Sequence, residues 1–163
     1  QTVISVAEEL KLVENYLDIQ KIRLDGKLKV LIDVPDNLLA RRTLKLILQP
    51  VVENSVLHGY GDNGGIAVLT VRISVREEGE DLLFTVADDG VGIPPDRMAT
   101  LLSGDGGKAY GIRNVNRRIT MFYGPQYGLS YHPVEPHGTL AIIRIGLEAD
   151  DGQERKKEAE NAD

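Results

Sequence analysis

Two neighbouring segments near the middle of the chain constrain its fold most, because their apolar residues follow a two-residue period. In residues 67–76 one face carries aliphatic side chains from Leu69 to Val75, and the other face is mostly polar. Residues 82–87 form a second apolar run. Since only the polar stretch 77–81 separates the two runs, they are predicted to be strands of one hairpin.

Amphipathic helices are predicted on both sides of this hairpin. The 3.6-residue period of helices is present in residues 6–24, 44–58 and 111–123, and in a short stretch after Asp96. The first helix begins at a capping box of Ser5 and Glu8, and its wide apolar face would allow it to continue an upstream helical bundle. Pro50 lies inside the second helix and is expected to kink it or to disturb its preceding turn.

Three further strands complete the pattern. They are predicted at residues 27–34, 129–132 and 139–147. Hairpins pair the later strands, and the chain shows no βαβαβ alternation. We therefore predict an α+β fold, a two-layer α/β sandwich with a mixed, mainly antiparallel sheet and helices on one face.

Composition indicates one domain and excludes several classes of protein. A chain of 163 residues that is 42% hydrophobic is long enough to bury one core. The absence of cysteine excludes disulfides and thiolate metal sites and favours the cytoplasm. No apolar run reaches the ~18 residues that cross a bilayer. Because the chain begins at Gln1 without a leader, we interpret it as a soluble piece of a longer protein.

The net charge of −6 is unevenly distributed along the chain. Residues 149–163 contain six acidic and three basic residues and nothing large and apolar to bury. This segment is therefore predicted to be a disordered acidic tail. No basic stripe with interleaved aromatic residues remains elsewhere, which argues against a nucleic acid partner.

The first segment that carries chemistry is residues 49–59, QPVVENSVLHG. On the predicted helix Asn54 lies beside the core face, and its amide carbonyl is a hard oxygen ligand suited to Mg²⁺. Taken alone, an asparagine at such a position is more often simply exposed or hydrogen-bonded.

The second segment, residues 86–94, reads VADDGVGIP and directly follows a predicted strand. Gly90 and Gly92 allow the backbone to turn sharply and approach a flat ligand. Asp88, at the end of the strand, can accept a hydrogen bond from an exocyclic amine such as that of adenine. An ordinary solvated Asp-Gly turn would have a similar sequence.

The third segment, residues 104–115, reads GDGGKAYGIRNV. A glycine-rich loop that runs into a helix N-terminus offers backbone N–H groups to phosphates. A flexible linker is the alternative interpretation. The order of residues matches neither a Walker site nor the dinucleotide-binding fingerprint, which disfavours both families.

Together and in this order, the three segments resemble the Bergerat-fold ATP-binding superfamily of gyrase, a heat-shock chaperone family, MutL and the histidine kinases. From residue 5 to residue 147 the chain looks like the catalytic domain of LytS/YesM-type bacterial sensor histidine kinases. The matching stretches are EELKLVENYLDIQKIRL, LQPVVENSVLHG, VADDGVGI and YGIRNVNRRI. The resemblance implies that residues 1–24 continue from an upstream dimerisation region, and that residues 25–148 are the cytoplasmic ATP-binding domain of a membrane-anchored, homodimeric parent.

The resemblance also implies roles for individual residues. Asn54 would be the Mg²⁺ ligand, Asp88 the carboxylate that selects adenine, and Thr139 would share a water with Asp88 and the base. Glu53 is a candidate to polarise the acceptor histidine or a metal-bound water. The other implied ATP-binding positions are Gly90 and Gly92 beneath the base, Ile93 against its ring, Gly107 and Gly111 of the second glycine box, and His58, Lys108, Tyr110, Ile112 and Arg113.

Three residues depart from the family pattern. Leu57 stands where the family usually has a lysine, so another cation must supply the charge near the phosphates; the candidates are His58, Lys108 and Arg113. Ala109 replaces the middle glycine of the second glycine box, which matters if that residue needs a positive φ. Pro50 stands where gyrase-like ATPases carry a catalytic glutamate, so efficient ATP hydrolysis by this chain alone is not expected.

The implied reaction is transfer of the γ-phosphoryl group of ATP to a histidine on dimerisation helices, and from there to an aspartate of a response regulator. The acceptor motif is absent from this sequence. Taken alone, each of the three histidines, His58, His132 and His137, is interpreted as structural or solvated. The acidic pairs Glu8–Glu9 and Glu77–Glu78 are interpreted as solvated surface residues. The alternatives are a nucleotide-sensing domain without catalysis, a gyrase- or MutL-like ATPase, and a purely structural interaction module.

Overall fold

The computed structural model describes residues 2–103 and 110–147, and the predicted acidic tail 149–163 lies outside this part of the chain. The strands are β1 (Val3–Ser5), β2 (Leu28–Asp33), β3 (Arg42–Leu44), β4 (Leu69–Glu78), β5 (Asp81–Asp88), β6 (Gly128–Pro133) and β7 (Thr139–Gly146). The α-helices are α1 (Val6–Arg23), α2 (Gln49–His58), α3 (Pro95–Thr100) and α4 (Tyr110–Tyr123).

Five strands form one mixed sheet in the order β2-β4-β5-β7-β6. β2 runs parallel to β4, and the other neighbours are antiparallel. The predicted hairpin of β4 and β5 is confirmed, with Val75 opposite Phe84. Residues of β4 and β7 alternate between buried and more accessible positions, as expected for a sheet with helices packed on one face. The predicted α+β two-layer fold is confirmed.

The apolar core lies between this sheet and the helices. Phe84 and Ile143 of the central strands are fully buried, as are Val13 of α1, Val52 of α2 and Ile119 of α4. Each of these three helices thus contributes an apolar stripe to a common core. Within the described residues, no helix combines the length and the apolar character needed to cross a membrane.

The start of the second helix was predicted wrongly. α2 begins at Gln49 rather than at residue 44, and the apolar residues before it, such as Ile47, are buried in a turn. Pro50 consequently lies in the first turn of the helix. A proline there costs no helical hydrogen bond, because the N–H groups of the first turn have no acceptor within the helix. Pro50 in this position gives no physical cause for the predicted kink.

A two-stranded antiparallel sheet of β1 and β3 was not predicted. Val3 pairs with Leu44 and Ser5 with Arg42, which brings the chain before α1 against the chain before α2. Strands of three residues are too short to show a two-residue period, and their pairing joins segments about 40 residues apart.

One acidic pair also differs from the prediction. Glu8 is exposed and closes the capping box with Ser5, as expected. Glu9, in contrast, is fully buried. Its carboxylate is surrounded by backbone N–H groups from residues 46–48, which a sequence pattern does not reveal.

Candidate functional site

A cavity of about 590 Å³ opens at the edge of the sheet where β5 ends and β7 begins. Three parts of the described chain line it. They are the end of α2 with the loop after it, the loop after β5 with α3, and the connection between β6 and β7. The first and second sequence motifs therefore lie in one cavity.

Asp88 is the buried carboxylate of this cavity, with 6% of its surface exposed. It is the last residue of β5 and pairs with Thr139 of β7. Its Oδ1 accepts a hydrogen bond from the Gly90 N–H at 2.9 Å. Burial raises the pKa of the Asp88 carboxyl, and hydrogen bonds from Gly90, from the Ser55 hydroxyl and from the Thr139 backbone oppose this rise. The carboxylate is thus held in one orientation while it lines the cavity.

The loop after β5 packs directly on the end of α2. The Val91 N–H donates to the Gly59 carbonyl at 2.9 Å. A Cβ on Gly90 would lie 2.4 Å from that carbonyl oxygen, so only glycine fits at this contact. Gly92 has a φ of +80°, a conformation that glycine adopts without strain. Gly90 and Gly92 therefore shape the loop, and Gly92 and Ile93 line the cavity.

A third glycine, Gly138, brings the start of β7 against the end of β5, the strand that carries Asp88. Gly138 has a φ of +132°, and a Cβ at this position would lie 2.1 Å from the Asp88 carbonyl oxygen. This close backbone contact places Thr139, which is 7% exposed, beside Asp88 at the wall of the cavity. The sequence prediction that Thr139 and Asp88 act together is consistent with their pairing.

α2 presents Asn54 and His58 to the cavity, and both side chains are half-buried. Glu53 does not line the cavity, and its Oε1 accepts a hydrogen bond from Gln49 Nε2 at 2.9 Å. Among the residues that the structure describes, no group of three or more His, Asp or Glu side chains could hold a metal ion. A single amide oxygen from Asn54 nevertheless fits Mg²⁺, which usually keeps waters and phosphate oxygens as its other ligands.

The third motif is only partly described. Gly107, Lys108 and Ala109 lie outside the described residues. Tyr110 and Gly111 begin α4, and Gly111 is exposed. Ile112 belongs to the hydrophobic core, and Arg113 donates from Nε to the Leu101 carbonyl at 3.1 Å. Neither Ile112 nor Arg113 lines the cavity, so their roles in nucleotide binding stay predictions.

The residues that line the cavity without having been predicted as site residues include Asp62, Arg97 and His137. Arg97 lies on α3, and Leu57, at the position of the missing lysine, is 72% exposed and does not line the cavity. His137 Nδ1 lies 3.0 Å from the Gly90 carbonyl oxygen and ties the β6–β7 connection to the glycine loop. None of the three belongs to a sequence motif, and only the tertiary fold brings them here.

Comparison with known proteins shows the family. Residues 40–149 match the family model described as "Histidine kinase-, DNA gyrase B-, and HSP90-like ATPase". The uncharacterized protein YwpD of Bacillus subtilis (strain 168) is 33% identical over 145 residues, which are 88% of this chain and 50% of that protein. The sensor histidine kinase YesM of the same organism is 29% identical over 88% of this chain and 24% of its own length. The sensor histidine kinase YpdA of Escherichia coli (strain K12) is 32% identical over 85% of this chain and 24% of its own length.

Solved structures show the same fold at low sequence identity. The catalytic domain of histidine kinase ThkA superposes with a TM-score of 0.71 at 14% identity, over 90% of this chain and 96% of that domain. ThkA in complex with the response regulator protein TrrA gives a TM-score of 0.69 at 14% identity, over 91% of this chain and 42% of that chain.

The chain spans half or less of the length of these curated relatives. Its relatives include LytS- and YesM-type sensor histidine kinases, so the resemblance drawn from the motifs is confirmed. On the match of residues 40–149, the chain belongs to the family of histidine kinase-, DNA gyrase B- and HSP90-like ATPases.

Proposed function

We propose that the cavity binds ATP with Mg²⁺ and that the chain is the catalytic domain of a sensor histidine kinase. The observation that carries this proposal is Asp88, a buried carboxylate fixed by neighbouring donors and facing a cavity. A carboxylate that keeps an acceptor face toward a cavity can hold an exocyclic amine, and adenine is the nucleotide base that the family binds. The family match and the sensor kinases among the relatives support the same assignment.

The adenine end of the site is formed by β5, β7 and the glycine loop. Asp88 accepts a hydrogen bond from the adenine amine, and Thr139 beside it shares a water with the carboxylate and the base. Ile93 packs on the ring, because it lines the cavity next to the turn at Gly92. Rejection of guanine follows, since its carbonyl oxygen would face the Asp88 carboxylate without a proton between them.

The phosphate end is formed by α2 and α3. The Asn54 amide oxygen holds the metal, which neutralises charge on the phosphate oxygens when it is bound. His58 and Arg97 line the same cavity and supply donors for the phosphates. Lys108 and the glycine residues 107 and 111 remain proposed contributors from the third motif.

The reaction is transfer of the γ-phosphoryl group to a histidine nitrogen on a dimerisation domain outside this sequence. The bond between the γ-phosphorus and the bridging oxygen breaks, a phosphorus–nitrogen bond forms, and ADP leaves. Asn54, His58 and Arg97 orient the phosphates for this displacement, and Glu53, held by Gln49, polarises the incoming imidazole. A second transfer carries the phosphoryl group to an aspartate of a response regulator. We further propose a homodimeric, membrane-anchored parent whose ATP-binding domain is cytoplasmic.

Nucleotide titration tests the binding step. We expect Mg²⁺ with a non-hydrolysable ATP analogue to bind the wild-type chain, and the Asp88→Asn variant to lose at least about tenfold in affinity, or ~1.4 kcal/mol. Asp33→Asn is the matched control, because Asp33 is exposed on β2 and does not line the cavity. Equal affinities of wild type and Asp88→Asn would contradict the adenine assignment.

A second experiment tests phosphoryl transfer. A dimerisation domain with its acceptor histidine is supplied in trans with ATP, and acid-labile phosphate on that domain is measured. Binding without any transfer would instead support a nucleotide-sensing domain. Release of free phosphate by the chain alone would support a gyrase- or MutL-like ATPase.

A further inference from the structure

A buried carboxylate outside the cavity connects α1 to the start of α2. Glu9 is fully buried, one helical turn into α1. Its Oε2 accepts a hydrogen bond from the Leu46 N–H at 2.9 Å. Its Oε1 accepts hydrogen bonds from the N–H groups of Ile47 at 3.0 Å and Leu48 at 3.1 Å. Three successive backbone donors thus converge on one side chain from another helix.

These donors lie immediately before α2, which has no side-chain cap of its own. The N-cap residue is Leu48, whose side chain cannot accept a hydrogen bond. The first N–H groups of a helix need external acceptors, and negative charge near them is favourable because of the helix dipole. Glu9, 37 residues or more away in the sequence, supplies such an acceptor to the N–H of the N-cap residue Leu48 and to the two N–H groups before it, and it places a carboxylate beside the start of the helix.

The same turn is also held by α4. The Arg118 guanidinium donates to the Leu46 carbonyl at 2.9 Å and also to the Lys45 carbonyl. Leu46 has a φ of +61°, which a branched, non-glycine residue adopts only when its surroundings impose it. Residues 45–48, which we call the α2 clamp, are therefore fixed jointly by α1 and α4.

The α2 clamp directly precedes the helix that reaches the cavity. α2 begins at Gln49 and carries Asn54, Ser55 and His58 to the cavity. Ser55 also hydrogen-bonds the Asp88 carboxyl. Because a ten-residue helix moves as a rigid rod, a shift of its first turn displaces these side chains.

We propose that Glu9 is a positioning residue, which through the α2 clamp holds Asn54 in place for the metal and phosphates and makes the site sensitive to the position of α1. This inference rests on the proposed function. It concerns the phosphate end most, because Asn54 lies on α2 itself, whereas Asp88 lies on β5 and would lose only the Ser55 donor if α2 shifted, keeping those of Gly90 and Thr139.

The test compares Glu9→Gln with Glu8→Gln, a control of the same chemistry at the exposed neighbouring position. Affinities are measured for Mg²⁺ with a non-hydrolysable ATP analogue, and separately for adenosine, which lacks phosphates. We expect Glu9→Gln to lower the affinity for the metal–nucleotide complex about tenfold, or ~1.4 kcal/mol, and that for adenosine less than about twofold. Both affinities of Glu8→Gln stay at the wild-type value.

Urea unfolding of each variant gives the folded fraction by which the affinities are corrected, so loss of stability alone does not imitate the effect. A purely structural role of Glu9 would leave both corrected affinities unchanged, and an equal loss for both ligands would also overturn the proposal. If Glu9→Gln does not fold, Arg118→Gln releases the clamp from the α4 side, and the same split between the two ligands is expected.

Failure of the proposed function is recognised separately. In that case the wild-type chain itself does not bind the metal–nucleotide complex. If the wild type binds and Asp88→Asn does not, while Glu9→Gln behaves as the wild type, only the positioning role is refuted.

Discussion

At the scale of single residues, burial of the Asp88 carboxyl lowers the stability of the folded protein, while the same carboxyl is proposed to recognise the nucleotide. The Asp88 carboxyl is buried beside the Asp89 charge, and burial raises its pKa, so the folded protein resists its ionisation. A neutral residue would remove this cost but would present a different hydrogen-bonding pattern to the base. Stability and nucleotide recognition therefore oppose each other at this position.

Because ionisation of buried Asp88 opposes folding, the free energies of unfolding of wild type and Asp88→Asn, both measured without ligand, are predicted to differ by an amount that depends on pH. Below the ordinary value of 3.8, the carboxyl is protonated in both the folded and the unfolded state and contributes no difference. As pH rises above that value, Asp88 ionises first in the unfolded chain. The free energy of unfolding of the wild type therefore falls until the pH passes the raised pKa of Asp88 in the folded protein. We expect the free energy of unfolding of Asp88→Asn relative to wild type to increase with pH and then level off.

Urea denaturation at pH values from about 4 to about 8 measures this difference. Other titrating groups are common to both proteins and cancel. A difference that is constant over this range would show that the folded state does not resist ionisation of Asp88.

Arg97 gives a second prediction at this scale. It lines the cavity, whereas Leu57 does not, so we expect the α3 guanidinium to supply charge near the phosphates. Arg97→Ala should weaken binding of the ATP analogue about threefold to tenfold, or ~0.7–1.4 kcal/mol, and leave adenosine affinity unchanged. Calorimetric titration of both ligands measures this, with Arg72→Ala on the exposed face of β4 as the control. Equal weakening for both ligands would remove Arg97 from the phosphate end.

At the scale of elements, the site depends on close contacts between backbones. The loop after β5 packs on Gly59 at the end of α2, and the start of β7 packs on the end of β5 through Gly138. Both contacts leave no room for a side chain. They bring together three elements that are far apart in the sequence, and they fix Asp88 and Thr139 side by side.

Gly138→Ala is expected to separate β5 from β7 at the site. The added Cβ would meet the Asp88 carbonyl at 2.1 Å, and the φ of +132° is unfavourable for alanine. We expect the free energy of unfolding to fall by about 2–3 kcal/mol, together with nucleotide affinity.

Gly111→Ala is the matched control for this variant. Gly111 lies in the first turn of α4, and an added Cβ there meets no atom within 4 Å among the described residues outside its own helix. Its free energy of unfolding should stay unchanged or rise by up to about 1 kcal/mol, because alanine favours helix. Urea unfolding compares both variants with wild type, and equal stabilities of the two variants would contradict the close contact at Gly138.

At the scale of the whole molecule, the cavity is a joint product of all layers of the fold. Its walls come from α2, α3 and the ends of β5 and β7, so the unfolded chain has no site. Ligand binding must then stabilise the folded state by mass action.

Thermal unfolding with ligand tests this linkage and the role of the metal. With the ATP analogue and Mg²⁺ at about 100-fold over the dissociation constant, we expect stabilisation by about 2.7 kcal/mol. Removal of Mg²⁺ with EDTA should abolish most of this gain in wild type. The analogue should stabilise the Asn54→Ala variant only slightly, with or without Mg²⁺. An EDTA-independent stabilisation of the wild type would argue against a metal at Asn54.

Much of the fold and part of the site could be predicted from local patterns. The hairpin of β4 and β5 and the extent of α1 follow from periodicity and capping within a few neighbouring residues. Asp88, Gly90 and Gly92 were recognisable because one short segment contains the strand end, the carboxylate and the turn. In these cases the relevant physical interactions are local, so the order of residue types is enough to indicate them.

Only the tertiary structure decided the remaining features. The turn before α2 is held by Glu9, and N–H groups from residues 46–48 offset the cost of burying its carboxylate. Arg97 and His137 enter the cavity because α3 and the β6–β7 connection pack beside the loop after β5. Such contacts join segments separated by tens of residues, and their energy comes from packing and desolvation in the folded molecule. Hydrophobic periodicity by itself therefore contains no record of them.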